Sequence, residues 1–206
     1  MNINKEMVLW TLSRVYGKLI IGIDPGIVNF GIVVIRHIPL NILMQVEKIL
    51  TADEILENLC KIIYADNVNI KEDYGVGTYG VSKFIDTLQF IDTYWLRYGG
   101  KIKMVHEYQM AINRNTRGAN DYITGYICRL KKMYNTQITV DERKPNFKKG
   151  IVIGNLSMNS YYANCSNHRT VNKKFVSDLV RQWLYPIKTN RKKIDDIGDA
   201  LLLAIT

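Results

Sequence analysis

The stretch Lys18-Leu-Ile-Ile-Gly-Ile-Asp24-Pro-Gly26 decides how the rest of the chain is read. Its apolar run, Leu19, Ile20, Ile21 and Ile23, is rich in β-branched side chains and favours a strand, which Asp24-Pro25-Gly26 stops in a turn. A second run, Phe30 to Ile35, follows almost at once, and a third, Ile42 to Val46, comes after the break at Pro39. Three short strands with tight connections predict an antiparallel meander.

Beyond the meander the period changes. Thr51-Ala-Asp-Glu54 is a capping box, and Ile55, Leu56, Leu59, Ile62 and Ile63 carry a helical stripe behind it. The polar, Gly-rich residues 65–80 predict a loop. A helix over 81–97 turns Phe84, Leu88, Ile91 and Trp95 inward and stops at Gly99-Gly100. Lys101 to Glu107 predicts a fourth strand, and a helix over 119–134 gathers Tyr122, Ile123, Tyr126, Ile127 and Leu130 on one face. The fifth strand is either 137–140 or 150–153. Phe175, Val176, Leu179 and Trp183 mark a helix ended by Pro186, and a last helix begins at Ile194 with Ile197, Gly198, Leu201 and Ile205 on its apolar stripe. The plan is a mixed α/β domain over 18–206, preceded by a helical extension over 1–17.

Bulk properties narrow the class. The 206 residues suit one domain, and 47% apolar with 23% charged residues excludes a disordered, collagenous or coiled-coil chain. The greasiest stretch, Leu19 to Ile35, is broken by Asp24, Pro25 and Asn29, so no membrane helix is expected there. Asn2, Asn4, Lys5 and Glu6 precede any apolar stretch, so no secretory leader is expected and the location is read as cytoplasmic or otherwise intracellular. Three scattered cysteines with no CxxC pair fit a reducing compartment and no zinc site. Twenty-eight Lys and Arg against 19 Asp and Glu leave a charge of +9, which favours a polyanionic partner such as nucleic acid.

Against that basic background the acids stand out by position. Asp24 closes the first strand, Glu107 closes the fourth, and Asp195, Asp196 and Asp199 open the last helix. Magnesium takes hard oxygen ligands, and two-metal phosphoryl chemistry uses about three or four carboxylates around ions ~4 Å apart. Each acid has a plainer reading: Asp24 as a turn residue, Glu107 as a strand-end charge, the aspartates as helix-dipole partners worth ~0.3–1 kcal/mol each. The last is the weakest, because Asp195 and Asp199 stand at i,i+4 and repel, with no lysine one turn ahead. Spacing alone leaves open whether Asp195 or Asp196 shares a cation with Asp199.

Three motifs then carry a resemblance. Ile21-Gly-Ile-Asp24-Pro-Gly26 with Asn29-Phe-Gly31 resembles the first-strand signature of RuvC-type Holliday junction resolvases. Asp196-Ile-Gly-Asp199-Ala-Leu-Leu-Leu-Ala-Ile205 resembles their last motif, and Glu107-Tyr-Gln109 is similar to the Glu-x-Gln of the viral, poxvirus-like branch. The order and spacing of all three agree. The resemblance runs from Lys18 to the C-terminus, with gaps at 65–80 and 141–170.

The resemblance implies an RNase H-like mixed five-stranded sheet flanked by helices, in a homodimeric endonuclease that resolves four-way DNA junctions. It implies two Mg²⁺ ions, with Mn²⁺ as an alternative, held by the tetrad Asp24, Glu107, Asp196 and Asp199. Asp195 and Gln109 then stand behind the ligands, with Asp195 alternatively at the helix N-cap. Phosphate contacts are expected from Arg114 and Arg117, from Lys173 and Lys174, and from Arg191, Lys192 and Lys193 beside the last helix. Rival expectations are a nuclease of the same fold acting on other branched DNA or RNA–DNA hybrid, and a catalytically silent nucleic-acid-binding module. The viral look of Glu107-Tyr-Gln109 extends the location to a host cytoplasm or viral factory.

Overall fold

A computed structural model describes residues 4–26, 28–75, 77–89, 91, 95–108, 114–134, 137–144, 152–153, 156–157, 168–183 and 194–205. At its centre β1 (Lys18–Asp24) runs antiparallel to β2 (Phe30–His37), with Ile21 opposite Val34 and Asp24 opposite Gly31. β3 (Cys60–Val68) continues antiparallel on the far side of β2, with Asn67 opposite Gly31. On the other side of β1 lie β4 (Ile102–Glu107), parallel to it, and then β5 (Ile138–Arg143), parallel to β4. The sheet order is therefore β3-β2-β1-β4-β5. A separate two-stranded piece pairs β6 (Val152–Ile153) with β7 (Leu156–Ser157).

The helices are α1 (Lys5–Val15), α2 (Leu40–Leu43), α3 (Ala52–Leu59), α4 (Ile70–Asp73), α5 (Gly77–Thr87), α6 (Arg114–Tyr134), α7 (His168–Trp183) and α8 (Asp195–Ile205). Strand alternation sends side chains to two faces. Leu19, Ile21, Ile23, Ile32, Val34, Ile102 and Met104 pack with Phe84, Ile85, Ile123 and Ile127 of α5 and α6. Val33 and Ile35 face the other way, onto Phe175, Val176 and Leu179 of α7 and Ile197 and Leu201 of α8. A third cluster under α1, α2 and α3 joins Leu9, Ile38, Leu43 and Ile55.

The meander is real, but its third strand is not at 42–46. Leu40–Leu43 is helical and Met44–Val46 is a 3-10 turn, while the strand is Cys60–Val68. Pro39 takes the N-cap position of α2 with an extended ψ, so the apolar run after it begins a helix. The capping box is present in both directions: Thr51 N–H donates to Glu54 Oε2 at 2.7 Å, and Glu54 N–H to Thr51 Oγ1 at 3.2 Å. The helix it starts ends at Leu59, however, so Ile62 and Ile63 belong to β3. The expected loop at 65–80 instead holds the end of β3, α4 and the start of α5, and the next helix is Gly77–Thr87 rather than 81–97. The fifth strand is the earlier of the two candidates and runs on to Arg143.

α1 is tied to the sheet by a buried cation. Arg36 of β2 is 0% exposed; its guanidinium donates to Glu6 Oε1 and to Asn58 Oδ1 at 2.6 Å each, and lies 5.2 Å from the Trp10 ring centre. Trp10 meets Trp95 edge-on at 5.6 Å. The inward residues of α1 are Leu9 and Ser13, while Met7 stays exposed.

Candidate metal centre

β1 and β4 are adjacent and parallel, and their last matched pair is Ile23 with His106. Asp24 and Glu107 follow, each one step on, so they end neighbouring strands at one level, ~4.8 Å apart across the ladder. They also share a face. Gly22 and Val105 are partners, and so are Asp24 and Gly31. This puts Asp24, Gly22, Val105, Glu107, Gly31 and Asn67 all on the α8 side.

Glycine decides how close α8 comes. A Cβ on Gly22 would lie 1.9 Å from the Ala200 carbonyl oxygen, and one on Gly31 would lie 2.1 Å from that of Asp196. With no side chain at either place, the helix rests directly on the strands. Its first turn sits over Gly31, the register partner of Asp24. Asp196 and Asp199, three apart, share one side of that helix start.

α8 is buried almost all round, from Ile197 and Gly198 through Ala200 to Ala204, because it lies between the sheet and α7. A single apolar stripe was expected. Gly198 does allow a close approach, but to α7: a Cβ there would stand 2.6 Å from the Val176 carbonyl oxygen. Asp199 is half-buried.

Asp195 is the first residue of α8, and Ile194 holds the cap position; the Ile194 carbonyl accepts from Gly198 N–H at 3.0 Å. The repulsion expected within the aspartate group is answered from another element. Lys173 Nζ of α7 donates to Asp195 Oδ2 at 2.6 Å, and that carboxylate is largely covered. Lys174 is exposed beside it. Arg114 and Arg117 lie in the first turn of α6, with side chains outside the described residues, and Gln109, Arg191, Lys192 and Lys193 also lie outside them.

Two side chains at this edge had no sequence signal of their own. Asn67, only 3% exposed, donates from Nδ2 to Asp196 Oδ2 at 3.0 Å. Arg143 is the register partner of Glu107, and its carbonyl accepts from Tyr108 N–H at 2.8 Å. Asn67 stands where the inward alternation of β3 calls for an apolar residue, the one hint available once that strand is known.

The backbone thus brings Asp24, Glu107, Asp196 and Asp199 to one end of the sheet. Among the described residues, no three His, Cys, Asp or Glu side chains close into a set that could hold a metal ion. The donors fit a hard cation in kind: they are all carboxylates, on a glycine cradle that a Cβ would fill. No described helix is long and apolar enough to cross a membrane.

A mixed sheet of order β3-β2-β1-β4-β5, antiparallel on one side of β1 and parallel on the other, with helices on both faces, is the RNase H-like architecture. Among solved structures the chain is similar to RuvC of Thermus thermophilus, with 16% identity over 91% of each chain and a TM-score of 0.44. It is similar to T. thermophilus RuvC in complex with Holliday junction substrate, at 16% identity over 91% of this chain and 90% of that one, TM-score 0.46. The yeast mitochondrial Holliday junction resolvase Ydc2 matches at 17% identity over 98% of this chain and 84% of its own, TM-score 0.45. These likenesses concern the fold. No protein-family model and no curated protein matches the sequence.

Proposed function

We propose that this chain is a divalent-metal-dependent endonuclease that cuts branched DNA, with the four-way junction as its substrate. One observation carries the reading: Asp24 and Glu107 end adjacent parallel strands on the face where glycine lets the Asp196–Asp199 turn rest on the sheet. The junction substrate rests on the motifs at 21–31, 107–109 and 196–205, which resemble those of RuvC-type resolvases.

In this reading Asp24, Glu107, Asp196 and Asp199 hold Mg²⁺, or Mn²⁺ in its place. Bound there, a cation stabilises charge on the phosphate oxygens and lowers the pKa of a bound water. The chain's own part is placement. Its strand ends carry two carboxylates at one level, and the first turn of its last helix lies over Gly31, the register partner of Asp24. Lys173 neutralises Asp195, so the negative charge stays with the four ligands. Lys174, Arg143 and the early arginines of α6 supply positive charge for DNA phosphates, with the 188–193 run beside α8. Symmetric cuts in opposed strands require a two-fold pair of active sites, hence a homodimer, working inside the cell.

The test is cleavage of a labelled four-way junction in Mg²⁺ by wild type and Asp196→Asn, with linear duplex and RNA–DNA hybrid alongside. Paired symmetric nicks confined to the junction are expected, falling by about 10²–10³-fold in the variant at unchanged melting temperature. Preferential hybrid cutting would remove the substrate assignment, and tight junction binding without cleavage would make the chain a silent binding module.

A further inference from the structure

Asn67 is a neutral, buried group in direct contact with Asp196 of the proposed ligand set. We infer that Asn67 is a positioning residue, holding the Asp196 carboxylate in the orientation that a cation requires; the inference rests on the metal-site reading above. The contact is built across three strands. Asp24, Gly31 and Asn67 form one row of the sheet, on β1, β2 and β3. The middle member has no side chain, so the Asp196 turn sits in the gap and the Asn67 amide reaches it across β2.

The chemistry of the pair suits orientation rather than neutralisation. An amide Nδ2 donates a directed hydrogen bond to a carboxylate oxygen and carries no charge. It fixes Oδ2 at 3.0 Å and leaves the net charge of the carboxylates intact for a cation. A lysine there would compete with the metal, and an aspartate would add a fifth like charge. Burial makes the bond directional in effect, since Asn67 is 3% exposed and water has little access to replace it. Partners behind metal ligands typically contribute 10–100-fold in metal affinity.

The experiment is calorimetric titration of the intact protein with Mg²⁺, without DNA, for wild type, Asp24→Asn, Asn67→Leu and Asn67→Ser, each with a melting curve. Wild type is expected to bind, Asp24→Asn to lose binding, and both Asn67 variants to fold while binding about 10–100-fold more weakly. Junction cleavage by the Asn67 variants should then recover at higher Mg²⁺, a KM-like effect on metal that a structural lesion would not give. If wild type binds no Mg²⁺, the metal-site reading itself falls and this role with it. If wild type binds and the Asn67 variants bind equally well, the positioning role alone is wrong. If both variants lose their melting transition, Asn67 is a structural residue and the proposal is overturned.

Discussion

At the scale of single residues, the site depends as much on glycines as on acids. Gly31 has Asp196 resting on it, so a methyl group there must push α8 off the sheet. Gly31→Ala should cost about 1–3 kcal/mol and weaken Mg²⁺ binding, as urea unfolding and calorimetry would show. The opposite sign is expected at Gly125, an exposed position within α6 where an added Cβ meets nothing within 4 Å. Gly125→Ala should stabilise by about 0.5–1 kcal/mol, because alanine loses less backbone entropy on entering a helix. His37 gives the chain a pH dependence. Burial, reinforced by the nearby Lys18 charge, holds its pKa below the ordinary 6.5. The unfolded chain then binds more protons than the folded one just below 6.5, so this contribution is complete above that pH and fades as pH falls. The melting temperature should drop between pH 7.5 and 5.5, and His37→Gln should flatten the drop.

At the scale of elements, α1 is held by Arg36, and its two acceptors differ in value. Glu6 is about half exposed, 52%, so water screens its pair with the guanidinium. Glu6→Gln should cost roughly 1 kcal/mol or less. Asn58 is buried, and Asn58→Leu would leave one arm of a fully buried guanidinium without that acceptor. That change should cost about 1.5–3 kcal/mol, the larger effect despite the loss of a neutral partner. Denaturant midpoints of the two variants, compared side by side, test the order. The pair Lys173–Asp195 works similarly between α7 and α8, fixing the start of the acidic helix to its neighbour.

At the scale of the whole molecule, the +9 charge makes the proposed DNA binding one that weakens with salt. The logarithm of junction affinity should fall linearly with the logarithm of salt concentration, by about 0.9 per phosphate neutralised. Lys174→Ala should lower that slope by about 1 and leave Mg²⁺ binding unchanged. Lys173 would not make a clean probe, because its removal also leaves Asp195 uncompensated beside the proposed ligands. Fluorescence anisotropy with a labelled junction, over a salt series, separates the two lysines.

Local pattern was enough for β1 and its turn, for β2, β4 and the capping box, and for the acids closing strands or opening the last helix. Those features depend on neighbours a few residues apart, where period and cap chemistry are decided. Tertiary structure alone decided the third strand. Ile42–Val46 is a short, mostly apolar stretch, whereas the strand that pairs follows α3 with no connecting loop, so the apolar stripe of the helix runs through Ile62 and Ile63 unbroken into it. Only pairing with β2 shows that Cys60–Val68 is extended. The same long-range pairing brings Asn67 to Asp196, 129 residues apart, and packing of α7 on α8 brings Lys173 to Asp195. The proposed carboxylates stand out in the sequence because each ends or opens an element; the contacts of Asn67 and Lys173 with the last helix do not, because they exist only once strands and helices are packed.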